Sequence, residues 1–339
     1  MDSLTQIVLG AAVGEALMGR KIGNKAQLIG AIAGTVPDLD VISNLFTNDE
    51  VLKLQIHRSY SHATFVHFFL AIPFAYLCYV IFKKKYSFKE FYSLWFWGLF
   101  THAILDCFTT YGTQMFQPFS NYLVGFNNIS VVDPLYTLPF MILLGACLFI
   151  KKENPLRFKF LKASLIVSCS YMLLTFGVKY YVHNTFEKAL KEQHISYNSI
   201  STSPTIFNNF LWAGIIDQDS NVIFSEYSIL QKSKNIEFHS YPKNEYLKNN
   251  YKSPALETLL WFSQGKYMMA KGQNDTLNFY VTKWGRQDFT KKDIEESFRF
   301  YYKIYKDAKG EMRILPQEKF KKGELKQALS ALWNRIFNS

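Results

Sequence analysis

The chain is 339 residues long, enough for two or three domains, with 49% apolar residues, 31 Phe, 21 Tyr and a formal charge of +11. Lys and Arg fall in short loops and across the C-terminal part without one dense basic stripe, which argues against a nucleic-acid surface and for a membrane protein facing anionic lipid. Residues 1–182 are apolar runs broken by short loops, whereas 183–339 read as polar soluble sequence.

In chain order, residues 4–18 form a Gly/Ala-rich run, short for a full span, in which Gly10, Ala11, Ala12 and Gly14 permit close helix packing. Glu15 inside it is either a buried partner or faces a bundle interior. No positive n-region precedes this run, so it does not read as a removable signal peptide. Residues 26–37 make a second short run ending in Pro37-Asp38-Leu39-Asp40, and 62–82 a full-length span interrupted by Pro73. Residues 91–105, 135–150 and 160–182 complete six runs. Asp2 and Asp133-Pro134 read as helix caps. Cys78, Cys107, Cys147 and Cys169 lie in or beside apolar runs without Cys-x-x-Cys spacing and read as thiols without metal or disulfide roles.

Charge suggests a topology. Loops 20–25, 83–90 and 151–162 hold three, four and five Lys/Arg, while loops 38–61 and 107–132 hold only Lys53 and Arg58. The bias places the first set in the cytoplasm. The expected architecture is an α-helical polytopic membrane bundle of about six passes (1–182), followed by a small α+β soluble domain (183–339) outside the cytoplasm. In that domain three hairpins are expected, 210–216 with 222–230, 268–270 with 277–283, and 300–305 with 312–315, with helices at 255–264 and 322–337.

The chemistry-bearing residues collect on the face opposite the basic loops. His57 and His62 flank Arg58-Ser-Tyr-Ser61, and His102 and Asp106 are spaced i, i+4, one helical face. With Asp38 and Asp40 they make a set of imidazoles and carboxylates beside hydrocarbon, where unpaired charge is costly and a metal supplies a reason. All six, His57, His62, His102, Asp106, Asp38 and Asp40, are candidate ligands for a divalent ion, zinc first and manganese or iron as alternatives. Asp38 or Asp40 is alternatively a general base, and Arg58 a holder of lipid or substrate phosphate. His67, deeper in its span, reads as a core histidine.

Met1-Asp-Ser-Leu-Thr-Gln6, Gly34-Thr-Val-Pro-Asp-Leu-Asp40, His57-Arg58 to His62, His102-Ala-Ile-Leu-Asp106 and Thr109-Thr-Tyr-Gly-Thr-Gln114 occur in that order. Together they resemble the YdjM/YfhP family of membrane-bound, metal-dependent hydrolases of bacteria, strongly over residues 1 to about 150. Ser61 and Ala63 depart from the family pattern, which has Thr and Ser there, but the metal-type side chains are intact. The resemblance implies a bacterial inner-membrane hydrolase. Its expected partners are membrane lipid and a lipid-linked or otherwise phosphorylated substrate, and no nucleic acid. A transporter would need ionisable groups continuing across the bilayer, where only Glu15 and His67 lie deeper. A non-catalytic scaffold would hold its metal in a closed shell.

Overall fold

The computed structural model describes residues 1–231, 235–291, 293–315 and 324–337. These form two compact units, Met1–Phe46 with Ile56–Thr175, and Thr47–Gln55 with Phe176–Ser339.

The first unit begins with α1 (Ser3–Ile22), capped by Asp2, whose side chain accepts from the Thr5 amide. Gly23 turns the chain into α2 (Asn24–Ala33), which runs back along α1. A Cβ on Gly14 would fall inside the carbonyl of Ala26, and one on Gly10 inside that of Gly30. The small residues therefore bring the two backbones into direct contact, as membrane helices do where the hydrophobic effect between them is weak. A 3-10 run, Val36–Leu45, follows α2, and α3 (Glu50–Ile56) leads to a 3-10 turn, Tyr60–His62. Then come α4 (Thr64–Ile81), α5 (Phe88–Cys107), α6 (Pro134–Ala146) and the first half of α7 (Pro155–Glu192). Asp133 caps α6, accepting from the amides of Leu135 and Tyr136, with Pro134 at the first turn.

The basic loops meet at one end of this unit: Lys152 Nζ and the Tyr86 hydroxyl both donate to the Lys21 carbonyl, at 2.9 and 3.2 Å. Just inside that end Glu15 is a buried partner. Arg157 grips it with two bonds of 2.6 Å, and Gln27 adds a third of 3.0 Å.

The expected six passes are corrected by the structure. Among the described residues only α4 and α7 are long and apolar enough to cross a membrane, and a third span results if α2 and the 3-10 run, bent by 44°, count as one. The reason is composition. α1 and α5 are 20 residues each, but they carry Glu15, Arg20 and Lys21, and Lys89, Glu90, His102 and Asp106. Helices whose polar groups are covered by neighbours need no uniformly apolar surface. α6 has only 13 residues.

In the second unit, β1 (Ser199–Pro204), β2 (Leu211–Asp217), β3 (Asn221–Ser228) and β4 (His239–Pro242) form one antiparallel meander. The one-turn helix α8 (Leu247–Asn250) and α9 (Pro254–Ser263) separate it from a second meander. That sheet has β5 (Tyr267–Lys271), β6 (Leu277–Val281), β7 (Tyr301–Lys306) and β8 (Met312–Ile314), with the one-turn helix α10 (Ile294–Ser297) before β7. α11 (Glu324–Phe337) ends the described chain. The three expected hairpins are β2–β3, β5–β6 and β7–β8. Both expected helices are present, although residues 322 and 323 of the second lie outside the described residues. Ala213, Phe224, Met268, Tyr280 and Phe298 share one core between the sheets.

The α1–α2 contact predicts a sharp contrast between two glycines. Gly14→Leu should destabilise by about 3 kcal/mol or more, the upper end of overpacking, because rigid backbone lies in the way. Gly145→Ala, with open space around it, should be neutral. Thermal unfolding of both variants in detergent checks the pair; equal midpoints would mean the helices separate freely.

Candidate metal centre

At the other end of the first unit, four side chains converge from three segments. Asp38 comes from the 3-10 run, His62 from the 3-10 turn, and His102 and Asp106 from one face of α5. One ligand atom of each lies within 4.8 Å of all the others. His62, His102 and Asp106 are fully buried, and the Asp38 side chain is 19% exposed, which makes it the open side of the cluster.

The edges of this polyhedron are informative. His62 Nε2 lies 3.0 Å from His102 Nε2, 3.2 Å from Asp106 Oδ2 and 3.6 Å from Asp38 Oδ1. His102 Nε2 lies 3.4 Å from Asp38 Oδ1 and 3.7 Å from Asp106 Oδ2. A tetrahedral ion with bonds of about 2.0–2.1 Å separates its ligand atoms by about 3.3 Å, the middle of these five separations.

Three of the four, His102, His62 and Asp106, are held from behind. His102 Nδ1–H donates to the Gly34 carbonyl at 2.6 Å, which leaves Nε2 with its lone pair facing the cluster. His62 Nδ1 bonds Ser61 Oγ at 2.9 Å, and that hydroxyl donates to Asp40 Oδ2 at 3.3 Å, assigning the same tautomer. Two lone pairs 3.0 Å apart repel unless a cation sits between them. Gln6 Nε2 donates to Asp106 Oδ1 at 2.9 Å, and the Met1 α-amine, its pKa lowered by burial and by Arg58, pairs with the same oxygen. Asp106 Oδ2 is buried and receives no hydrogen bond of ordinary geometry among the described residues, although Arg58 Nε stands 3.1 Å away. An orphaned carboxylate oxygen beside two imidazole nitrogens is a donor set that fits a divalent ion. Burial works against charge on His62, yet Asp106 and Asp38 outweigh it and raise its pKa. The cluster attracts a cation, proton or metal.

The other expected residues stand one layer out. Asp40 receives the Arg58 amide at 2.7 Å and faces His57 Nδ1 at 3.1 Å. His57 is 30% exposed and rests edge-on against Tyr111. Arg58 is buried in the left-handed region (φ +56°), with NH1 on Thr109 Oγ1 at 2.9 Å and its guanidinium over the Tyr111 ring. A bulky residue at positive φ is strained, and here its amide, carbonyl and guanidinium are all engaged, the carbonyl by the Gln114 amide at 2.9 Å. His67 lies outside the cluster and bonds the Ser61 carbonyl at 2.8 Å. Gln6, Tyr111 and the Gly34 carbonyl were not singled out from sequence, and Ser61 only as a departure from the family pattern; all four lie in the ordered motifs, which was the available signal.

A model of the YdjM inner membrane protein family matches residues 1–184, more than half of the chain, and the chain belongs to that family. The uncharacterized protein YfhP of Bacillus subtilis (strain 168) is 29% identical over 144 residues, 40% of this chain and 42% of that protein. The chain therefore matches about two fifths of that relative's length. No solved structure matches.

The geometry predicts which histidines hold metal. His62→Ala, His102→Ala and Asp106→Ala should each cut divalent metal per chain to trace levels, whereas His57→Ala should leave it unchanged. Elemental analysis of detergent-purified protein is the check, and full loss in His57→Ala would move that residue into the shell. Because ligand atoms must shed their protons, affinity should fall as pH drops, all the more since the pKa of His62 is raised.

Proposed function

We propose that this member of the YdjM inner membrane protein family is a membrane-bound, metal-dependent hydrolase. The observation that carries the reading is the convergence of Asp38, His62, His102 and Asp106 on one point with one partly exposed ligand. Zinc suits the two-imidazole, two-carboxylate set and its edge lengths; manganese or iron would use the same atoms with more open positions. Such an ion lowers the pKa of a water molecule toward neutrality and polarises a phosphoryl oxygen.

The chain's own residues divide the remaining work. His62, His102 and Asp106 would hold the ion from the buried side, and Asp38 would hold it at the exposed edge. Asp40 orients two imidazoles at once, His57 directly and His62 through Ser61. His57, half-buried at the mouth, accepts the proton lost by the attacking water, with Asp40 behind it. Arg58 sits behind Asp106 and strengthens the attraction for a phosphate by its charge rather than by direct grip. The favoured substrate is a lipid-linked phosphoester. With the basic loops in the cytoplasm, the site and the C-terminal unit belong to the outer face of the inner membrane. Glu15, closed off by Arg157, and His67, bonded to Ser61, supply no ionisable path across the bilayer, which weighs against a transporter.

A second reading has one observation in its favour: four protein ligands converge, the number that fills a tetrahedral shell in structural sites. Asp40→Asn separates the two. For an enzyme, metal content should stay high while hydrolysis of a phosphoester falls about a hundredfold or more, the scale of general-base and outer-shell losses. Asp38→Asn should lower both. A wild-type chain with bound metal and no turnover on any phosphoester would favour the structural ion, and joint loss of metal and turnover in Asp40→Asn would make Asp40 a ligand.

A further inference from the structure

Two uncharged segments flank the cluster. Residues 107–132 contain no Asp, Glu, Lys, Arg or His, and neither do residues 41–48. Both present large apolar side chains outward: Leu45 and Phe46 are 81% and 86% exposed, and Phe119 and Tyr122 76% and 62%. In the 3-10 run, residues three apart eclipse, so Leu39, Ile42 and Leu45 stack into one outward ridge while Asp38 turns inward. Beside this ridge a cleft of about 270 Å³ is lined by Ile7, Ala31, Ile32, Thr35, Val36 and Leu39.

Both segments are tied to the site and to the apolar helices. Gln114 bonds the Arg58 carbonyl and Met115 the Thr64 amide at the start of α4. Phe119 packs edge-on against Phe65, and Phe65 against Phe69, each at 5.2 Å between ring centres, on the outward face of that span. The 3-10 run itself continues α2 across a 44° bend. Exposed apolar surface of this extent in water would be an aggregation liability, but aromatic, uncharged surface continuous with a spanning helix is what the bilayer interface accommodates.

We infer that these segments form a collar embedded in the lipid leaflet, so that the metal centre is reached sideways from the membrane. The occupant is a membrane lipid, its chains along the collar and cleft and its polar group at Asp38. The collar depends only on the segments; the claim that the lipid is a substrate rests on the proposed hydrolase reading.

The experiment reads depth and turnover separately. In a Cys169→Ser background, nitroxide labels at Phe46→Cys and Phe119→Cys are compared with Leu173→Cys on α7 and Glu237→Cys in the second unit, in phosphatidylethanolamine–phosphatidylglycerol vesicles. Labels at 46 and 119 should match 173, with an oxygen-to-nickel-chelate accessibility ratio several-fold above that at 237. Values like those at 237, or spin–spin broadening from a second copy, would overturn the collar. Leu45→Ser with Phe46→Ser should retain metal and lower turnover of a long-chain lipid phosphoester several-fold, sparing a short water-soluble one. Equal loss on both, or none on the lipid, overturns lateral access. No turnover of either in the wild type sinks the hydrolase reading, while the depth data still decide the collar.

Discussion

Everything at the site end of the first unit answers one electrostatic problem: two imidazole nitrogens 3.0 Å apart and two carboxylates face the same buried point. Like-signed lone pairs in low dielectric repel, and burying them without a cation costs several kcal/mol. The surroundings keep the donors aimed inward instead of letting them turn away. Gly34 can offer its carbonyl to His102 only because α1 and α2 pack backbone to backbone, with Gly10 against Gly34. Gln6, one helical turn before Gly10, ties up the far oxygen of Asp106 so that the near one points inward. The N-terminal motif, which looks like an ordinary helix start, thus acts on the ligands twice, through close packing and through an amide bond.

Much of this was legible in the sequence where a simple period applies. His102 and Asp106, four residues apart, do share a face of α5. Asp133 caps α6 as its Pro neighbour suggested. The hairpins of the second unit follow from turn residues between β-rich runs, as at 218–220 between β2 and β3. Where the local period was misjudged, the side chains parted. Asp38 and Asp40 look like a pair, but two residues along a 3-10 run are about 240° apart, so one meets the cluster and the other backs it. His57 and His62 are separated by a left-handed Arg58, a reversal that no propensity foretells.

Counting spans from hydropathy failed for a related reason. A run of apolar residues signals burial, and burial within a helical bundle looks the same as burial in lipid. α1 lines its partners with Gly and Ala and carries Glu15 into a closed ion pair with Arg157, so its polarity is satisfied by protein. In the second unit β1, Ser-Ile-Ser-Thr-Ser-Pro, lacks the alternation or aromatic content that marks a strand and gains its place by pairing with β2.

Charge accounting links the two ends of the first unit. At the site, the carboxylates of Asp38, Asp40 and Asp106 outnumber the cationic groups set against them, the Arg58 guanidinium and the Met1 α-amine. A divalent ion adds positive charge among these carboxylates, which lowers the cost of burying them in a low-dielectric surrounding. At the opposite end the excess is positive and lies in solvent-facing loops around Lys21, Lys83–Lys85 and Lys152. Uncharged segments at one end and basic loops at the other make the two ends of the unit unequal, and moving the lysines through hydrocarbon is costly. The cluster of Asp38, His62, His102 and Asp106 thus lies beside the uncharged segments, and the Glu15–Arg157 pair lies beside the basic loops.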